Sequence, residues 1–369
     1  MLHAVIMAGG AGTRFWPASR ADWPKQLLAL VGPRTMIQST VDRMAGLVPG
    51  ERTWVVTNRR LTAAIGEQLP QVGAEQILSE PCKRDTAPCI GLAALEIVRH
   101  DPDAVMAVMP ADHVIRPEPA LAKVIAFAAR LVADDPERMV TFGILPTYAA
   151  QSFGYIERGA ALAAATATEP PVYRVAQFRE KPKADVAQQY LDRGNCYWNS
   201  GIFVWRARTI LDALTRYQPE MMVHLNRIAA ARDKADYQAV LEREFAAIRP
   251  ISIDYAVMEP ALGAQAKPAG KVVVVEVPFE WDDVGSWQAI GRLSAADEHG
   301  NVVQGRHVGV STKNTIVRTD DKHLVVTLGI NDCIVVHTPE STLVANKHDE
   351  EAIRELIKLI EERGWHEYL

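Results

Sequence analysis

The chain has 369 residues, 48% of them hydrophobic and 23% charged, with a net charge of −5. This length allows a large catalytic domain with a smaller appendage, and the composition is that of an ordinary soluble globular protein. The mild acidity excludes a general nucleic-acid or membrane-surface binder, which needs broad basic patches, so any phosphate recognition has to be local.

No apolar run approaches the ~20 residues of a membrane span, and Met1-Leu2-His3 leads straight into a strand, so the expected location is the cytoplasm. The four cysteines, Cys82, Cys89, Cys196 and Cys333, form no CxxC pair and sit among apolar or small neighbours; they read as reduced thiols.

His3 to Met7 reads as a buried strand, and Gly9, Gly10 and Gly12 then let the backbone turn with no Cβ in the way of a ligand. N–H groups in such a turn converge on an anion, and Arg14 and Lys25 add full positive charges beside it. This phosphate cradle is of neither common kind. No Gly-Lys-Ser/Thr closes it, and Phe15 stands where a dinucleotide fingerprint has its third glycine.

Thr35 caps an expected helix through Met44, with Met36, Ile37, Val41 and Met44 on one face, and Thr53 to Thr57 follows as a second strand. A helix over Leu61 to Leu69, a strand at Gln76 to Leu78, a helix over Thr86 to Arg99 and a strand over Ala104 to Met109 continue the alternation. Such alternation predicts a Rossmann-like α/β fold: a mixed, mostly parallel sheet flanked by helices, with ligands at the carboxyl ends of strands. Glu80 to Pro88 lies between the third strand and its helix and so reaches the same edge, with Asp85 or Thr86 as N-cap and Pro88 in the first turn. Pro110-Ala111-Asp112-His113 places an acid at the end of an apolar strand, where a carboxylate is costly unless it meets water, a cation or a metal.

After a helix over Pro119 to Ala133 and a strand over Val140 to Leu145 the character changes. Phe153 to Glu157 and Val172 to Phe178 alternate like strands exposed on one face, joined by an Ala-rich stretch, Gly159 to Pro171, expected to be mobile. Glu180-Lys181-Pro182 closes the second strand, and Tyr197-Trp198-Asn199-Ser200-Gly201 follows one amphipathic helix later. An acid beside a base, then an amide and a hydroxyl on aromatic-lined backbone, offers acceptors, donors and an ammonium to a phosphorylated sugar.

Thr209 to Ala231 is expected to be helical, with Leu211, Leu214, Met221, Met222, Leu225 and Ile228 as core. Asp254, within Ser252 to Glu259, reads as a capped helix start that also allows substrate contact. Lys271 to Val277 is a strongly apolar strand leading to Trp281-Asp282-Asp283-Val284-Gly285-Ser286-Trp287. Two adjacent acids in an extended segment point opposite ways, so one can face a ligand while the other faces solvent.

From Asn301 the chain breaks into short β-rich runs separated by turns, a small β-rich domain for which a short β-helix is one form, closed by an amphipathic helix with Ile353, Leu356, Ile357 and Ile360 on one face. His307, His323 and His337 are not at metal-ligand spacing and read as structural. Apolar edges in this part suit a homodimer. The expected division is residues 1–290 and 291–369.

Gly9-Gly10-Ala11-Gly12-Thr13-Arg14, with Pro17 and Pro24-Lys25, resembles the signature of sugar-1-phosphate nucleotidyltransferases, and Phe15-Trp16-Pro17, Ser19-Arg20 and Pro24-Lys25-Gln26 are similar to its mannose-1-phosphate guanylyltransferase branch. Glu80 to Pro88 resembles that branch's Glu-Pro-x-x-Arg-Asn-Thr-Ala-Pro motif with Asp85 in place of Asn. Trp281 to Trp287 resembles its Trp-Ser-Asp-x-Gly-Ser-Trp motif with Asp282 in place of Ser, and Phe153-Gly154-Tyr155 keeps one of two Gly-Tyr pairs.

The resemblance covers essentially the whole chain. It implies transfer of a guanylyl group from GTP to α-D-mannose 1-phosphate, giving GDP-mannose and pyrophosphate by Mg2+-dependent in-line displacement. It further implies that Arg14, Lys25, Asp112, Lys181 and Asp283 are catalytic, with Asp112 and Asp283 on Mg2+. Ala8, Gly9, Gly10, Gly12, Thr13, Arg14, Lys25, Glu80, Arg84, Thr86 and Pro110 are then expected on the nucleotide, and Gly143, Gly154, Glu180, Lys181, Asn199 and Ser200 on the sugar phosphate.

Two alternatives stand at this level: a relative using another base or sugar, such as a glucose-1-phosphate thymidylyltransferase, and a non-catalytic regulatory subunit. Trp16, Ser19-Arg20 and Glu80 to Pro88 argue for guanine, and the presence of Arg14, Lys25, Asp112 and Asp283 together argues for catalysis. Long members of the family continue into a cupin-type isomerase domain that a chain of this length is expected not to hold.

Overall fold

The computed structural model describes every residue except 11, 165, 167, 168, 180 and 264–270. The chain divides into two compact units interleaved in sequence. One comprises Met1–Gly9, Val41–Ala111 and Ile115–Trp281; the other comprises Gly10–Thr40, Asp112–Val114 and Asp282–Leu369.

The first unit is built on a sheet whose strands run, edge to edge, Ile77–Glu80, Thr53–Asn58, Leu2–Met7, Val105–Pro110, Cys196–Arg206, Met139–Ile144, Val272–Glu276, Val172–Arg179 and Tyr155–Ala163. Leu2–Met7 pairs in parallel with both of its neighbours, and Met139–Ile144 pairs in parallel with Val272–Glu276. The long strand Cys196–Arg206 is antiparallel to both neighbours and joins these halves. Val5, Ile6, Val273 and Val274 are all fully buried at consecutive positions, as strands covered on both faces require. One cover is the helix Thr86–His100, which buries Ile90, Ala93, Ala94 and Ile97 in a core shared with Trp205, Leu214 and Leu225. Each fully buried Ile or Leu among these contributes roughly 1.5–3 kcal/mol.

The elements of the first unit differ from the sequence expectation at several places. The helix expected over Thr209 to Ala231 is two, Ala207–Tyr217 and Pro219–Ala231. Pro219 has no N–H to donate to the preceding turn and takes the first position of the second helix instead. A further helix, Tyr237–Ala247, was not anticipated. The stretch expected to be mobile begins as strand, since Tyr155–Ala163 pairs along its length with Val172–Arg179.

In the second unit the short C-terminal runs form a β-helix. Val302–Gln304, Ile316–Arg318 and Cys333–His337 stack in parallel, Arg306–Val310 pairs in parallel with Leu324–Leu328, and Thr342–Asn346 closes the stack antiparallel to Cys333–His337. Asn314 and Asp332 turn successive corners with φ of 49° and 52°, and the Asn314 amide donates to the Asp332 carboxylate; short polar side chains tolerate this backbone better than branched ones. The core of the unit joins Phe15, Trp16, Leu28 and Trp287 to Ile316, Ile334 and Leu343, and Ile353 of the closing helix Ile353–Glu362 is buried in it. Ile357 and Ile360 lie half-buried against it, whereas Leu356, expected on the same face, is 40% exposed.

Gly143, on a central strand, has no room for a side chain: a Cβ there would lie 2.6 Å from Tyr197 Cγ. Gly143→Ala is expected to lower unfolding free energy by about 1–3 kcal/mol in urea titrations. Gly66→Ala, on the helix Thr62–Gln68 where a Cβ meets only Ile77 Cδ1 at 3.7 Å, should leave stability unchanged or raise it.

Candidate active site

The glycine loop of the second unit closes on Lys25. Gly12 is left-handed, at φ 60°, and a Cβ on it would stand 2.5 Å from Lys25 Cβ and 2.8 Å from Lys25 N, so only glycine fits. The Ser19 hydroxyl donates to Gly12 O at 2.6 Å and Phe15 N does so at 2.9 Å, while Thr13 O accepts from Trp16 N at 3.1 Å. Gly10 is exposed, with open space where a Cβ would be.

Lys25 opens a short turn after Pro24 and is 5% exposed. Its Nζ donates to Asp112 Oδ2 at 2.8 Å and to Asp283 O at 2.6 Å, and lies 5.8 Å from the centroid of Phe15. Asp283 Oδ1 accepts from Gly285 N at 3.1 Å. Arg14 Nη1 donates to Gly285 O at 3.2 Å, and its Nη2 is 3.3 Å from Glu351. Arg14, Lys25, Asp112 and Asp283 thus lie in one cluster.

Asp282, which departs from the family pattern, turns the other way. It accepts from Val284 N at 2.7 Å and pairs with Arg292 at 2.9 Å.

The two cluster carboxylates are tuned apart. Burial pushes Asp112 up, but Lys25 and then His113 outweigh it and hold the group below the ordinary aspartate value. Asp283 is raised by its burial and by the charges of Asp282 and Asp112, with Lys25 opposing. Among the described residues no group of three or more His, Cys, Asp or Glu could hold a metal. Two carboxylates suit an ion completed by phosphate oxygens and water better than one caged by protein alone.

In the first unit, Ala8 is held by Val56 O, which accepts from its N–H at 2.8 Å, and a Cβ on Gly9 would meet Glu80 Oε2 at 3.6 Å. Glu80 ends its strand 7% exposed, with Oε1 lacking any partner. Burial, and after it the charge of Asp85, pushes its carboxyl up to about 8. Asp85 sits at φ 67° and accepts from Thr86 N at 2.9 Å, capping the helix Thr86–His100.

Arg84 and Thr86 are engaged internally. Arg84 donates to the Lys83 and Ala246 carbonyls, and the Thr86 hydroxyl accepts from Ile253 N at 2.9 Å. In this segment Glu80 Oε1 and Arg84 Nε are buried without a hydrogen-bond partner.

On the sugar-phosphate side, Asn199 N donates to Gly154 O at 2.8 Å, its side-chain amide donates to Asp254 at 2.9 Å, and its Oδ1 accepts from Gly201 N at 3.2 Å. Asp254 therefore does not cap a helix; it lies in a wide turn, Asp254–Met258, and orients Asn199. Ser200 is buried, its hydroxyl accepting from Ile202 N at 3.2 Å. Pro110 would touch a Cβ on Gly201 at 3.7 Å. Lys181 is exposed, at φ 41°. Glu180 lies outside the described residues.

Sequence reading missed a triad of long-range partners next to Gly143. Tyr197 OH donates to Glu276 at 2.5 Å, and Arg158 donates to Tyr197 OH at 3.1 Å. The available signal was Glu276 itself, a carboxylate at the end of the apolar strand Val272–Glu276.

A sheet of this topology, a glycine loop closed on a buried lysine and a tuned carboxylate pair define a phosphate-handling transferase. The sequence model of the Nucleotidyl transferase family matches residues 3–300, and that of the MannoseP isomerase/GMP-like beta-helix domain matches residues 305–360. The chain belongs to the nucleotidyl transferase family. It is 37% identical over 371 residues to a mannose-1-phosphate guanylyltransferase of Klebsiella pneumoniae, spanning 100% of this chain and 76% of that protein. It is 38% identical over 372 residues to that of Escherichia coli (strain K12), spanning 100% and 75%. A crystal structure described as a mannose-1-phosphate geranyltransferase from Thermus thermophilus matches at a TM-score of 0.84 and 34% identity, covering 98% of this chain and 99% of the other.

The raised Glu80 carboxyl sets a pH dependence. Unfolded, it ionises near 4.5; folded, it stays protonated to about 8. Its contribution is therefore full below 4.5 and lost as pH rises to about 8. Glu80→Gln, which cannot ionise, is expected to gain on wild type progressively over that range, by on the order of a few kcal/mol, in urea titrations at several pH values. A difference that does not change with pH would show Glu80 already ionised in the folded chain.

Proposed function

We propose that the chain transfers the guanylyl group of GTP to α-D-mannose 1-phosphate, giving GDP-mannose and pyrophosphate. The observation that carries this reading is Lys25 held between Asp112 and the Asp283 carbonyl beside the glycine loop. The mannose-1-phosphate guanylyltransferase relatives, matched along the whole of this chain, support the choice of base and sugar.

In the proposed reaction a phosphate oxygen of mannose 1-phosphate attacks the α-phosphorus of GTP in line, the bond from that phosphorus to the β-phosphate oxygen breaks, and pyrophosphate leaves with the electron pair. Positioning and charge neutralisation are what such a step needs most. Lys25 and Arg14 supply cations to the triphosphate and Lys181 an ammonium to the sugar phosphate. Asn199, oriented by Asp254, and Glu180 meet mannose hydroxyls, and the open oxygen of Glu80 suits the N–H groups of guanine.

Asp112 and Asp283 would hold Mg2+, since hard carboxylate oxygens, one of them raised by burial and then by neighbouring negative charge, suit a small hard cation. When bound, that ion supplies charge against the triphosphate oxygens. Exposed Val308, Val310, Val326 and Leu328 on the paired strands Arg306–Val310 and Leu324–Leu328 support pairing of two copies. GTP as substrate and free cysteines support a cytoplasmic setting.

The test is pyrophosphate release with Mg2+, each of four nucleoside triphosphates, and mannose 1-phosphate or glucose 1-phosphate. Release confined to GTP with mannose 1-phosphate is expected; release with a different pair would overturn the assignment of base or sugar. Asp112→Asn and Lys25→Ala are each expected to lower kcat by ~100-fold or more, and near-normal turnover in either would remove that residue from the mechanism.

A further inference from the structure

The second unit contains a cavity of about 330 Å3 lined by none of the residues assigned above to nucleotide, metal or sugar. That volume suits a small organic molecule. Its apolar wall includes Leu30, Ile290, Val302 and Ile316, with Ser294 and Gln304 adding polar groups, and none of its lining residues is acidic.

Arg318 also lines it, and its charge is poorly answered. Nη2 donates to Ala29 O at 3.1 Å, while Nη1 is buried with no hydrogen-bond partner. Among the described residues no carboxylate pairs with it. Burial lowers its pKa from the ordinary arginine value, and no acidic group opposes that shift. A desolvated cation without an anion is costly, and an unsatisfied buried donor calls for an explanation.

We propose that this cavity binds a small amphipathic anion, a carboxylate or phosphate monoester on a compact apolar body, with the anionic group on Arg318 and the body against the aliphatic wall. The site adjoins the nucleotide loop through aromatic contacts. The Arg318 guanidinium lies 5.9 Å from the Trp287 ring, Trp287 packs edge-on to Phe15 at 5.1 Å, and Phe15 is the ring beneath Lys25. An occupant here therefore touches the same packed layer that supports Lys25.

The test is calorimetric titration of the full chain with saturating GTP present to occupy the phosphate loop. The probes are 4-ethylbenzoate, phenyl phosphate and the neutral 4-ethylbenzyl alcohol. One equivalent of an anionic probe is expected to bind, with the alcohol at least tenfold weaker. Arg318→Gln should weaken the anion by roughly 10- to 100-fold, the worth of a hydrogen bond to a charged group.

Ala295→Trp, at the exposed rim of the cavity, should block it without touching the guanidinium. Preference for the benzoate or for the phosphate names the anion. Equal affinity for acid and alcohol, unchanged affinity in Arg318→Gln or Ala295→Trp, or no binding up to millimolar probe would each overturn the proposal. If Arg318→Gln does not fold, the acid–alcohol comparison and Ala295→Trp still decide.

Discussion

One buried ammonium organises the phosphate-recognising part of the second unit. Lys25 has lost nearly all contact with water, which would be costly for an isolated charge. That cost is offset by Asp112 and by a main-chain carbonyl at Asp283. Because one of these acceptors is backbone, Lys25 pairs directly with only one of the two carboxylates, and Asp283 stays raised by its burial and then by the charges of Asp282 and Asp112, with Lys25 opposing. The geometry thus leaves a demand for positive charge next to the glycine turn. In the proposed function the counter-ion of the triphosphate would answer it.

The first unit applies the same logic to polar recognition. Glu80 is held without a partner for one oxygen and Arg84 without one for Nε, while the Arg84 Nη groups and the Thr86 hydroxyl bond to backbone and fix the shape of the segment. Likewise Asn199 is fixed at three atoms, which restricts how it can present its amide. Preorganised groups of this kind reduce the ordering cost of binding.

Much of this was legible in the sequence, for a physical reason. Glycines, a buried lysine and acids placed at the ends of apolar strands violate the ordinary hydrophobic pattern, and such violations mark sites. Gly12 and Asp112 stood out this way, the choice of Asp283 over Asp282 came from the family resemblance, and the short apolar runs pointed to a small β-rich domain of which a β-helix was one form. The internal partners of Arg84 and Thr86 were not legible, because they are backbone groups from the helix Tyr237–Ala247 and the segment after it, which carry no motif. Tyr197, Arg158 and Glu276 meet only through sheet register, which single-sequence spacing does not give. The break at Pro219 escaped because the apolar spacing of Leu214, Met221 and Leu225 continues across it.

The interleaving of the two units bears on how such a chain can change over time. The family boundary between residues 300 and 305 is a boundary in the gene but not in the hydrophobic core, where Phe15, Trp16 and Trp287 from one side pack with Ile316, Ile334 and Leu343 from the other. A recombination event that exchanged the β-helix alone would bring a foreign wall to the aromatic layer beneath Lys25. The β-rich segment is therefore bound to co-evolve with the glycine loop and cannot be traded as an independent cassette.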